Sequence, residues 1–152
     1  MWAMSDVDPL VAFVLARIGE DEEMARAAQH DDAVVPGSWT PESYGVEDGR
    51  PCYHVAEDRQ GHYWTVGVLY EPIAEHVARQ SPRATLARCA ALRALVAPHV
   101  PVPLVTSSRW VECARCIDVR EEREDWPCDV VRGVAAIWSW HPEYQAGWAV
   151  DA

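Results

Sequence analysis

The sequence predicts an α+β fold, a small and mainly helical single domain with a β-hairpin near its centre, and three observations carry that prediction. Apolar residues recur at helical spacing behind Asp-Pro and Ser-Pro starts. Two runs of β-formers are separated by a short polar loop. Three cysteines crowd into "VECARCIDVREEREDWPC", residues 111–128, and mark an ordered turn. A chain of 152 residues with 49% hydrophobic composition is long enough to bury a real core.

Asp8-Pro9 reads as a helix start, with Asp as cap and Pro at the first helical position, and Leu10, Phe13, Val14, Ile18, Met24, Ala25 and Ala28 follow near a 3.6 period. This places the first helix over 9–29. Residues 30–50 hold so many turn-formers that they read as a long irregular connection, with one short extended piece near Trp39. "PCYHVAE" and "HYWTVGVLY", parted by "DRQG", predict the hairpin. Glu71-Pro72 opens a second helix through "IAEHVAR", and Ser81-Pro82 opens a third through "RATLARCAALRALVAPH". In the third, Leu86, Cys89, Leu92 and Val96 form an apolar stripe, while Ala87, Ala90, Ala91 and Ala94 offer a second side suited to close packing. "PVPLVT" and "RWVEC" read as short strands, and the acidic "REEREDW" as a solvated loop. Pro127 begins the last main helix, "CDVVRGVAAIWSW", which His141-Pro142 ends; a further turn sets Tyr144 and Trp148 on one side.

All 13 basic residues are arginine, and against 24 acidic residues the net charge is −11. That balance disfavours general binding to nucleic acid or to an anionic membrane. The charge is uneven: residues 77–120 carry seven arginines against Glu112 and Asp118, a local +5, which leaves −16 on the rest. Such asymmetry fits a nucleic-acid patch or two oppositely charged regions packed on each other. The apolar stretch near the N-terminus lacks the basic start and cleavage site of a signal peptide, and no window reaches the roughly 18 apolar residues of a membrane span. A soluble, cytoplasmic chain is expected. In that reducing compartment five cysteines, an odd number, suggest metal or free thiols rather than disulfides.

Cys113-Ala114-Arg115-Cys116 has the two-residue spacing that lets a tight turn present two thiolates to one ion. Cys128, behind Pro127 at a helix start, is a third ligand, because unpaired N–H groups and the helix dipole favour a thiolate there. For the fourth, His141 would lie roughly 20 Å from Cys128 along a continuous helix, far beyond bonding distance, and His76 lies a helix earlier in the chain. His99 can fold back most easily, with Glu112, Asp118 or water as substitutes. The prediction is a structural zinc in a zinc-knuckle-like turn that orders residues 98–128, a segment with few apolar residues of its own. Redox chemistry is disfavoured, since the CxxC does not open a helix after a strand. Cys52 and Cys89 read as core. A metal at Cys52, His54 and His62 depends on an assumed strand register.

"EHVARQSPRATLARCAALRALVAPH", "CARC", "WPCDVVRGVA" and "HPEYQAGW", in this order, resemble a family of small uncharacterised proteins from actinobacteria and their phages. The resemblance spans 71–149 and, more loosely, the first helix. Gln80-Ser81-Pro82 and Cys128-Asp129-Val130 depart from the family pattern but leave the cysteines in place. The resemblance implies a phage or mobile-element context and supplies no mechanism.

Three functions compete. The first is a non-catalytic, zinc-stabilised accessory protein that binds another protein, with some of its eight tryptophans as contact anchors. The second is nucleic-acid binding through Arg109, Arg115 and Arg120 around the zinc turn, or mimicry of nucleic acid by "EDEE" and "EEREDW". The third is a small zinc enzyme, which needs an open coordination position. No Ser-His-Asp arrangement, phosphate loop or dinucleotide fingerprint is visible.

Overall fold

Asp8 starts the first helix as its sequence position predicts: its Oδ1 accepts the backbone N–H groups of Leu10 (2.9 Å) and Val11 (3.3 Å), two donors that the helix start leaves without an internal partner. The computed structural model describes residues 8–28, 39–57, 69–103, 111–117 and 123–150. The fold is α+β. The chain divides into two compact units, one of Met1–Gly19 with Ala90–Ala152 and one of Glu20–Cys89. Helix α1 spans Pro9–Ala27 and α3 spans Pro82–Val96, so the division falls within each of them.

The Glu20–Cys89 unit is built on a three-stranded antiparallel sheet of β1 (Trp39–Glu47), β2 (Arg50–Glu57) and β3 (Leu69–Tyr70), in that order. An extended piece is found near Trp39 as expected, but as a nine-residue strand, which corrects the irregular reading over 39–47; residues 30–38 lie outside the described residues. The strand's turn residues have other uses: Pro41 lies on an edge strand, where no ladder donor is needed, and Gly45, at φ +150°, sits at a bulge after Ser43. Asp48 (φ +48°) and Gly49 (φ +76°) form the two-residue turn joining Glu47 to Arg50. Positive φ at both central residues is what a hairpin matching strand twist requires, and Asp-Gly is a favoured pair for it. The hairpin foreseen between β2 and the following run survives as β2–β3 pairing, with Cys52 opposite Tyr70. His62 and the rest of that run's centre lie outside the described residues.

Helix α2 (Glu71–Arg79) follows β3 directly and packs on β1 and β2, with Ala74 fully buried. Cys52, Val55 and Ala56 of β2 are buried, and so is Cys89 of α3, in keeping with a core role for both cysteines. On α3 only Cys89 and Val96 of the apolar stripe are fully buried, with Leu86 and Leu92 half-buried. Ala87, Ala90, Ala91 and Ala94 are exposed, so the second side expected to pack closely faces solvent.

In the other unit, β4 (Pro101–Pro103), β5 (Val111–Ile117) and β6 (Arg123–Asp125) form a second antiparallel sheet with β5 in the middle. The strand β6 corrects the loop reading of "REEREDW" over Arg123–Asp125, where backbone pairing to β5 overrides the low β-propensity of Arg-Glu-Asp; residues 120–122 lie outside the described residues. Helix α4 covers Asp129–Ala135 and continues as a tighter turn over Ala136–Trp138. It therefore starts two residues after Pro127, with Cys128 as its N-cap, and is shorter than expected. Leu10, Phe13, Val14 and Ile18 of α1 are buried, as are Val96, Val131, Val134, Ala135 and Trp138. The C-terminal "HPEYQAGW" lies against α1: the Phe13 ring sits 6.1 Å from Tyr144 and 5.2 Å from Trp148, which themselves meet edge-on at 5.8 Å. Arg17, 7% exposed, lies 5.5 Å over the Phe13 ring, contacts His141 and pairs with Glu143 at 3.3 Å. A buried guanidinium is tolerable with such partners and costly without them. No helix among the described residues is long and apolar enough to cross a membrane.

Two glycine substitutions should move stability in opposite directions. Gly49→Ala forces a Cβ into a left-handed turn and is expected to cost about 1–2 kcal/mol. Gly133→Ala, in α4 with open space around the new methyl, is expected to add about 0.5–1 kcal/mol. Urea denaturation of the two variants checks both signs.

Candidate metal centre

The second sheet assembles the site by bringing three separated pieces of chain to one point. After α3 ends at Val96, a turn closed by the His99 N–H to the Val96 carbonyl (2.9 Å) sends the chain into β4. β4 pairs antiparallel with β5, Pro101 opposite Cys113 and the Ala114 N–H on the Val100 carbonyl at 2.9 Å. Extending that register by two residues sets His99 beside the stretch from Cys113 to Cys116. β5 runs on through the cysteines and stays paired with β4 at Cys113, but its pairing with β6 is irregular there: Glu112 pairs with Asp125 and Ile117 with Arg123, so the residues between them bulge out of the β5–β6 ladder. This is the knuckle. The chain returns along β6, the Trp126 N–H binds the Val111 carbonyl at 2.8 Å, and Cys128 arrives at the N-terminus of α4.

The side-chain atoms converge closely. The sulfurs of Cys113, Cys116 and Cys128 each lie 3.4 Å from Nδ1 of His99, and all four atoms fall within 4.8 Å of one another. A tetrahedral zinc with ordinary bond lengths would separate its sulfur and nitrogen ligands by about 3.6 Å. Cys113 and Cys128 are 0% exposed, His99 is 7% exposed, and Cys116 is partly open to solvent. Of the fourth-ligand alternatives, Glu112 is outside this group and Asp118 lies outside the described residues. Arg115 is exposed on the knuckle between the two cysteines, while Arg109 and Arg120 lie outside the described residues.

The electrostatics are those of a thiolate cluster. Burial pushes the Cys113 thiol up, but backbone N–H groups of Arg115 and Cys116, with the thiols of Cys128 and Cys116, more than compensate and hold it below the ordinary thiol value. Cys128 goes the other way: burial raises it, and the neighbouring Cys113 adds to the rise against the Val131 N–H at the helix start. One negative charge is therefore easy to form here and the next is hard, because it must sit beside the first. A bound cation removes that conflict, and three thiolates with one imidazole are a donor set that suits zinc. The Val131 N–H at the helix start lowers the Cys128 thiol, as its position predicts, but burial acts against it and is the larger effect.

Sequence reasoning missed one neighbour of the site. Trp126 Nε1 donates to Oδ2 of Asp8 at 2.7 Å, so one carboxylate both caps α1 and holds the residue two before Cys128. Asp-Pro marks the cap in the sequence, but nothing there marks its second bond.

Because metal binding must displace protons from these thiols, affinity for zinc should rise with pH and fall on acidification, about tenfold per pH unit for each proton displaced. Competition with a chelator across roughly pH 6 to 8 checks this; a flat profile would contradict a thiolate site. A family model described as a family of unknown function (DUF6221) matches residues 7–150. No curated protein and no solved structure matches the chain.

Proposed function

The chain belongs to that family of unknown function, and from the site itself we propose that it is a non-catalytic accessory protein, held in shape by one structural zinc, that works by binding another protein. The observation that carries the zinc is the equal 3.4 Å spacing of three sulfurs from one imidazole nitrogen. Four protein ligands fill a tetrahedron and leave no position for substrate, which favours a structural over a catalytic ion. The short separations, all within 4.8 Å, suit a single ion better than an iron–sulfur cluster, whose ligands are spread over several irons. An apparent 10 to 16 kcal/mol from such a metal is comparable to the whole stability of a typical domain.

Partner binding is supported by what the surface offers. Trp140 is 76% exposed, and Ile137, one turn earlier, is exposed as well. Large apolar side chains so placed favour contact with another protein. The net charge of −11 argues against nucleic acid as the main partner. Arg115, exposed on the knuckle, favours a limited nucleic-acid contact as the second reading. The sequence resemblance supports a phage or mobile-element setting, in the cytoplasm, where thiolates stay reduced.

Purified chain should carry one zinc, lose it on chelation with a large drop in thermal stability, and fail to retain it when Cys113 is replaced by Ser. Metal analysis and thermal denaturation together test this, and a metal-free chain of unchanged stability would sink the zinc reading. For the partner, Trp140→Ala should leave zinc content intact and weaken capture of a defined host or phage protein by about tenfold or more. Unchanged capture would remove Trp140 as an anchor, and a mobility shift with DNA or RNA at low salt would favour the second reading.

A further inference from the structure

We propose that the His99, Cys113, Cys116 and Cys128 site is a peroxide-sensitive switch, in which Cys116 is the sulfur an oxidant meets first and a Cys113–Cys116 disulfide is the product that expels the metal. This rests on the metal reading above and states how that same site is regulated.

Access and connectivity point to this order of events. Cys113 and Cys128 expose no surface and His99 is nearly closed, so Cys116, partly open, is the ligand a small electrophile reaches. Cys113 and Cys116 also share one element, the stretch of β5 that bulges out of its pairing with β6. Their sulfurs lie within 4.8 Å, Cys113 is held by the pairing with β4, and closing them to a bond of about 2.05 Å requires movement of Cys116 within the same strand. Cys128 stands on a different element, the N-cap of α4. Trp126, two residues before it, is tied down by its N–H on the Val111 carbonyl and its Nε1 on Asp8. Pairing Cys116 with Cys128 would have to drag that anchored segment.

The chemistry balances with hydrogen peroxide as oxidant. The Cys116 thiolate attacks one peroxide oxygen; an S–O bond forms, the O–O bond breaks, and the departing hydroxide takes a proton from solvent to become water. The Cys113 thiolate then attacks the Cys116 sulfur; the S–S bond forms, the S–O bond breaks, and a second hydroxide leaves to be protonated. The two sulfurs give up two electrons and the peroxide becomes two waters. Only His99 and Cys128 remain as ligands, half of what a structural zinc requires, and the ion departs. With it goes the tie between the knuckle and α4.

The test uses the full zinc-loaded chain with a coloured zinc indicator and hydrogen peroxide. Metal content before treatment reads the zinc proposal by itself: a chain that never held zinc overturns that reading and this one with it. With zinc present, peroxide should release it, peptide mapping should find Cys113 joined to Cys116, and a thiol reductant with added zinc should restore the site. Cys116→His, which keeps four ligands without the accessible sulfur, should slow release by about tenfold or more. Release from this variant at the original rate would overturn the proposal, as would a disulfide to Cys128 or zinc held until Cys52 and Cys89 are oxidised. Should the variant fail to hold zinc, trapping of the first sulfenic acid on the unaltered chain decides: Cys116 supports the switch, and Cys113 or Cys128 refutes it.

Discussion

Three thiolates cannot share one buried volume without a cation, and that constraint governs the unit that contains them. Cys113 and Cys128 are fully buried beside each other and beside His99. The backbone lowers the cost of the first negative charge by aiming two N–H groups at Cys113, yet the charge so formed makes the next one harder at Cys128. A bound cation would turn mutual repulsion into shared attraction. It would also tie together a sheet in which β4 and β6, of three residues each, flank a β5 whose pairing with β6 is irregular at the knuckle. Such a sheet has little ladder and little apolar area to hold it.

The rest of that unit fastens onto this centre through α1. Asp8 does two jobs with two oxygens, capping the helix with one and holding Trp126 with the other. Further along the same helix, Phe13 and Arg17 receive the C-terminal "HPEYQAGW" as a cover of Tyr144, Trp148, His141 and Glu143. Helix α1 is therefore clasped at both ends of its buried stripe by polar contacts that also fix direction, which a purely apolar stripe would not do. The Glu20–Cys89 unit relies on more ordinary means: a hairpin with the turn its twist demands, a small buried alanine that lets α2 approach the sheet, and two buried cysteines acting as small apolar residues.

The proposed oxidant sensitivity draws on the same arrangement. A metal held there would be sealed on three sides and partly open at one sulfur. The knuckle links Cys113, buried and paired through β4, to Cys116, which is partly exposed.

Much was legible in the sequence wherever a signal was local. Asp8-Pro9, Glu71-Pro72 and Ser81-Pro82 located three helix starts, because capping and the fixed φ of proline act within a few residues. CxxC located the knuckle, since two thiolates need only a tight turn to face one point, and His99 could be chosen as the nearest histidine able to fold back. Other local signals were present but misread: Asp48-Gly49 marked a hairpin turn, and Pro41 and Gly45 were edge and bulge residues rather than loop markers. What only the tertiary structure decided was non-local: the β4–β5 register that brings His99 to the cysteines, the pairing that makes a strand of Arg-Glu-Asp, and the bonds from Asp8 to Trp126 and from Arg17 to the C-terminal cover. The two side-chain bonds join residues more than a hundred positions apart, and the worth of all four contacts depends on burial and neighbours that no window of sequence contains.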